Sequence, residues 1–161
     1  MREINYIKIN KTLDELEDDT KIEKINENVL EWYKLSKELE ESESRKIWLN
    51  SGAFITIEKT EALTAIDVNS GKFVGKNDLE QTVFKVNEEA SYEIARQMRL
   101  RDIGGIVLID FIDMNNDEDK NRIIEIMKKA TKGDRSRVQI EEFTKLNLLE
   151  ITRKHICSSL K

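Results

Sequence analysis

Between Ala62 and Asp110 the sequence reads as strand, long helix, strand, and that order leaves few folds open. Ala62–Val68 is β-prone. Leu79, Val83, Val86, Ala90, Ile94 and Met98 then recur at spacings of three and four, one apolar face of a helix from about Asp78 to Arg101. Asn77, with Glu80 three residues on, supplies a capping box at its start. Gly104-Gly105 end the segment, and Ile106–Ile109 reads as a buried strand. Two strands joined by a crossover helix run parallel, so their carboxyl ends share one edge of the sheet.

The remaining pattern fits around this unit. Ile47–Leu49 and Phe54–Ile57 read as strands, and Thr60-Glu61 turns the chain into an antiparallel hairpin with Ala62–Val68. A second helix, about Asp117–Lys132, turns Ile123, Ile124, Met127 and Ala130 inward, with Gly133 as its stop. Arg137–Ile140 and Leu148–Thr152 supply further strands. The expected fold is α/β: a mixed sheet with a β-hairpin and a parallel βαβ crossover, helices packed on it. Residues 1–45 have a different texture, with short β-prone runs at 4–9 and 22–25 and a helix over 29–43. They are expected to form a small α/β piece of their own, with the main domain over 46–161.

The crossover brings two acids to one edge. Asp67 ends the first strand in Ala-Ile-Asp-Val-Asn-Ser-Gly (65–71), and Asp110 ends the second in Gly-Gly-Ile-Val-Leu-Ile-Asp-Phe-Ile-Asp-Met (104–114). Asn69, two residues past Asp67, projects to the same side if the strand continues. Two carboxylates and an amide oxygen are hard donors that suit Mg²⁺. An aspartate that terminates a strand and caps a turn is the better reading of either acid alone, and the pair at matching strand ends with Asn69 alongside brings the metal reading level with it. Asp113 reads as an Asx cap for Asn115-Asn116 or as a third ligand.

Other candidates carry less. His155 reads as a surface residue and Arg96, Arg99 and Arg101 as a solvated helix end or a phosphate contact. Gly71-Lys72-Phe73-Val74-Gly75 lacks the Walker spacing. Trp32 and Trp48 read as packing anchors rather than base-stacking platforms. The single Cys157 excludes an internal disulfide and a cysteine-paired zinc site. No apolar run is long enough to span a bilayer and no signal-peptide pattern opens the chain, so a cytoplasmic setting is expected. The net charge of −5 argues against a generally basic nucleic-acid binder. Residues 96–161 nonetheless carry 14 Lys and Arg against 11 Asp and Glu, so a polyanion would meet that part.

Residues 61–75 (EALTAIDVNSGKFVG), 88–114 (EEASYEIARQMRLRDIGGIVLIDFIDM), 134–139 (DRSRVQ) and 149–154 (LEITRK) resemble the ribonuclease E/G family of bacterial endoribonucleases. The resemblance covers about 45–160 and implies that family's DNase I-like catalytic subdomain, with 1–45 as part of its RNase H-like subdomain. It implies cleavage of single-stranded RNA to 5′-phosphate and 3′-hydroxyl ends in RNA processing and decay. It also implies that Asp67 and Asp110 hold a catalytic Mg²⁺, that Asn69 joins or orients that site, and that Arg137 binds the RNA 5′-monophosphate. The family's S1 and 5′-sensor domains do not fit in this length, and its zinc-link cysteines are absent from the chain. A fragment is therefore expected. It is either the catalytic core itself, or a non-catalytic or assembly module that needs the missing domains, and a homo-oligomer is possible without the zinc link.

Overall fold

The computed structural model describes residues 44–71 and 79–155. The expected elements before residue 44, Trp32, the Asn77 cap, the 72–75 turn and Cys157 lie outside the described residues, as does all but the last part of the small piece expected over 1–45.

Three strands open the described chain: β1 (Lys46–Trp48), β2 (Phe54–Lys59) and β3 (Leu63–Asn69). Helix α1 (Leu79–Leu100) crosses to β4 (Gly105–Asp110). Helix α2 (Asp117–Thr131) follows, then β5 (Val138–Phe143) and β6 (Leu148–Arg153). The six strands form one mixed sheet in the order β1-β2-β3-β4-β6-β5. Among the described residues only β3 and β4 pair in parallel, and every other pairing is antiparallel. The crossover, the hairpin and the α/β class expected from the sequence are all present.

Alternation along the strands makes the sheet one-sided. Ile55 and Ile57 of β2, Ile66 and Val68 of β3, Val107 and Ile109 of β4, and Leu149 and Ile151 of β6 are buried. They meet Val86, Ala90, Ile94 and Met98 of α1 and Ile123, Ile124 and Met127 of α2 in one apolar cluster. The residues between them project from the opposite face. Ile106 belongs to that open face and is 49% exposed, so β4 is buried on one side rather than two. Leu79, expected on the apolar face of α1, is 65% exposed. It stands at the first helical position, and Phe84 five residues on is buried.

Close approaches fix the turns. Gly52 lies at φ +86°, where a side chain would be strained, and Asn50 and Ser51 beside it donate backbone N–H groups to Glu89 of α1. The helix thereby holds the β1–β2 turn. A Cβ on Gly104 would lie 2.5 Å from the His155 ring, and Gly105 has φ +85°. The glycine pair thus lets His155 lie against the entry to β4. Gly133 is not in the left-handed region; α2 ends instead with the Lys132 N–H donating to the Lys129 carbonyl.

Candidate active site

Asp67 and Asp110 are register partners on the parallel strands β3 and β4. Adjacent strands lie about 4.8 Å apart, and register partners project to the same side. Val68 and Ile109 point into the core, so both acids stand on the open face at the carboxyl ends of their strands. They line a shallow depression of about 340 Å³ with Thr56, Glu58, Leu108 and Leu148. A larger hollow, about 1100 Å³, lies beside β1 and α1, but it brings together no pair of acids at strand ends.

Asn69 shares the face. Its amide nitrogen donates to Asp67 Oδ2, which also lies 3.5 Å from Thr56 Oγ1, the outer limit of a hydrogen bond. Asn69 thus orients Asp67 directly. Loss of water around Asp110, then the charges of Asp67 and Asp113, push the Asp110 carboxyl above its ordinary range. Mutual repulsion of this kind is what a cation between the carboxylates would relieve.

Asp113 does not cap the following helix. The N-cap of α2 is Asn116, whose side chain accepts from the Glu118 N–H. Asp113 instead accepts from the side chain of Asn147, which sits at φ +65° in the β5–β6 turn. The bond ties that turn to the loop leaving β4.

Asn87 was not singled out by sequence reasoning, yet it positions the site. It is fully buried on α1, donates from Nδ2 to the Ile112 carbonyl at 2.8 Å, and accepts the Ile112 N–H at 3.1 Å. The side-chain amide pairs with the backbone as a strand neighbour would, two residues past Asp110. The available signal was an asparagine on the core face of an amphipathic helix, where a polar group must have a partner.

Arg137 lies elsewhere. It is exposed, immediately before β5, and its carbonyl accepts the Lys154 N–H at 3.1 Å. Its neighbour Val138 is in register with Arg153, and Arg153 with Gly105 at the start of β4. Asp110 is at the other end of β4, about 17 Å along the strand. Arg153, not Arg137, ties the elements together. Its guanidinium is 0% exposed and bonds Asp134 and Asp102, each at 2.9 Å, and the Ile103 carbonyl. The helix-end arginines are all engaged: Arg96 with Glu93, Arg99 with the Ala130 carbonyl, and Arg101 with Gln97 and the Ser44 carbonyl.

Among the described residues no group of three or more His, Cys, Asp or Glu is placed to hold a metal ion. The donors at the site are therefore two carboxylates and an amide. That small set fits Mg²⁺, which keeps several waters and binds through one or two carboxylates. It does not suit a softer ion held in an all-protein cage.

The sequence model of the Ribonuclease E/G family matches residues 2–156. The chain is 41% identical to Ribonuclease G of Salmonella typhimurium over 133 residues, 83% of this chain and 27% of that protein. It is 40% identical to Ribonuclease G of Haemophilus influenzae over 147 residues, 91% of this chain and 30% of that protein. It is 43% identical to Ribonuclease E of Synechocystis sp. over 127 residues, 79% of this chain and 19% of that protein. The chain thus spans less than a third of the length of each of these curated relatives.

Proposed function

Since this chain belongs to the ribonuclease E/G family, we propose that it carries the catalytic core of a Mg²⁺-dependent endoribonuclease acting on single-stranded RNA. The products are a 5′-phosphate and a 3′-hydroxyl, and the setting is RNA processing and decay in the cytoplasm. The observation that carries the reading is the in-register pair Asp67 and Asp110 on the open face.

Asp67 and Asp110 are the ligands, and Asn69 holds Asp67 in its ligating orientation. When bound, Mg²⁺ supplies an acidified water and neutralises charge on the phosphoryl oxygens. The open face leaves room for an extended strand of RNA to lie across both acids. Asn87 and the Asp113–Asn147 bond hold the loop after Asp110, which keeps the carboxylate at its strand end. Arg137 would clamp a 5′-terminal phosphate, a role that suits a planar guanidinium. Its distance from Asp110 separates that task from the chemistry.

The chain's share of its relatives' length favours a second reading, in which residues 46–161 are a DNase I-like core that needs partner domains or a second copy to grip RNA. A 5′-labelled single-stranded RNA incubated with Mg²⁺, with EDTA, and with the Asp67→Asn chain tests both. Cleavage that requires Mg²⁺ and Asp67, leaving 3′-hydroxyl ends, is expected. Cleavage in EDTA, or products with 2′,3′-cyclic phosphate, would overturn the mechanism. No cleavage by this chain, restored when it is part of a full-length protein, establishes the second reading.

A further inference from the structure

Trp48 is not a packing anchor. It is 64% exposed at the edge of the sheet, and its ring meets Phe54 edge-on with centroids 5.2 Å apart. The Lys46 ammonium stands 4.1 Å from the Trp48 ring centre and 3.5 Å from that of Phe54. Register places this trio with respect to the acids. Lys46 pairs with Thr56, Thr56 with Asp67, and Asp67 with Asp110, so these four form one row across the sheet. Trp48, Phe54 and Asn69 form the adjoining row. Ile47 and Ile55 are buried between them, so both rows stand on the open face. Three strand spacings, about 14 Å, separate Lys46 from Asp110.

A strand of RNA approaching the acid pair meets a negative surface, with Glu58 beside Asp67 and Asp110. Arg45 is tied to Glu58. Lys46 is the cation in the same row as the acids, and the rings hold its ammonium group beside the path. An exposed indole beside a held cation is the combination by which proteins grip single strands without reading sequence: a base on the ring, a phosphate on the charge. We propose that Lys46, Trp48 and Phe54 form a stacking subsite for the RNA strand entering the Asp67–Asp110 site, with Trp48 taking a base and Lys46 a phosphate. The inference rests on RNA being the substrate of that site.

The chain has two tryptophans, so Trp32→Phe leaves Trp48 as the sole indole. That chain is titrated at low salt with a short oligouridine, and a dye-labelled oligouridine reports affinity by anisotropy. Saturable quenching of Trp48 is expected. Trp48→Ala should weaken binding roughly 5- to 100-fold, and Trp48→Tyr should restore most of it. Lys46→Ala should lower the slope of log affinity against log salt by about 0.7, the share of one phosphate contact on a single strand. No quenching, or an affinity unmoved by Trp48→Ala, overturns the subsite. So does a Trp48→Ala chain that sediments differently without RNA while its RNA affinity is unchanged, since the indole would then serve a protein contact. Quenching without any cleavage, either by this chain or by a full-length protein that carries it, supports the subsite while removing the nuclease reading. Cleavage with an unchanged KM in Trp48→Ala removes the subsite and leaves the nuclease reading intact.

Discussion

At Asp110 the chain gathers negative charge, and substitution there separates stability from function. Its carboxyl is raised above the ordinary range by lost water and by Asp67 and Asp113. A raised carboxylate holds its proton more tightly in the folded chain. Stability therefore falls as pH rises from the ordinary carboxylate range through the raised value. Asp110→Asn removes the repulsion, so in Mg²⁺-free buffer it should melt at the same temperature as the parent or slightly higher. Mg²⁺ at a hundred times its Kd should stabilise the parent by about 2.7 kcal/mol. It should stabilise Asp110→Asn far less, while Mg²⁺-dependent cleavage drops by roughly a hundredfold or more. Equal Mg²⁺ stabilisation of both chains, read by thermal melts, would remove Asp110 from the site. Arg137→Ala should slow cleavage of 5′-monophosphorylated RNA in a full-length protein and spare 5′-hydroxyl substrates. Because the side chain is exposed, stability should change by no more than about 0.5 kcal/mol. A large fall in melting temperature with no change in 5′-end preference would give Arg137 a structural role instead.

Among the elements, β3, α1 and β4 were legible because each obeys one period: alternation in the strands, three-and-four spacing in the helix. What escaped the sequence was which side of each strand would be covered. Ile106 and Trp48 are as apolar as their buried neighbours, and only the placement of both helices on one face decides their exposure. The asparagine clamp escaped for a related reason, since the partner of Asn87 is a backbone 25 positions away. Asn87→Ala would leave the half-buried Ile112 N–H and carbonyl without their partner, at about 1 kcal/mol each. The variant should melt lower and, at temperatures where it is fully folded, should bind Mg²⁺ more weakly than the parent. Unchanged Mg²⁺ affinity would confine Asn87 to stability. At the far end of the sheet, burial alone would raise Asp134. The hydrogen bonds from Arg153 and the Ser136 N–H, with the charges of Arg153 and Arg99, outweigh it and hold the carboxyl below its usual range. Its stabilisation is complete above the ordinary carboxylate pKa and is lost as pH falls through the lowered value. Arg153→Ala, which strands buried Asp134, should cost about 3–5 kcal/mol at neutral pH, and less in strong acid, where Asp134 is protonated. Urea titrations at both pH values check this, and a loss independent of pH would argue that packing, not charge, is what Arg153 supplies.

For the whole molecule, charge sets a limit on affinity. With a net charge of −5 and only a modest basic excess over residues 96–161, the chain should bind single-stranded RNA weakly at physiological salt and lose it steeply as salt rises. Tight binding that is insensitive to salt, measured by anisotropy, would place the RNA surface elsewhere. Among the described residues no helix is long and apolar enough to cross a membrane. The single parallel pairing has a kinetic consequence. Asp67 and Asp110 become neighbours only after the whole of α1 has crossed the sheet and β4 has docked on β3. Joining strands across so long a connection is a late, entropically costly event. We therefore expect an ion that needs both carboxylates to bind after the barrier is crossed, not before. Mg²⁺ should leave the refolding rate nearly unchanged and slow unfolding instead, so the ion acts as a latch on a finished fold rather than a seed for it.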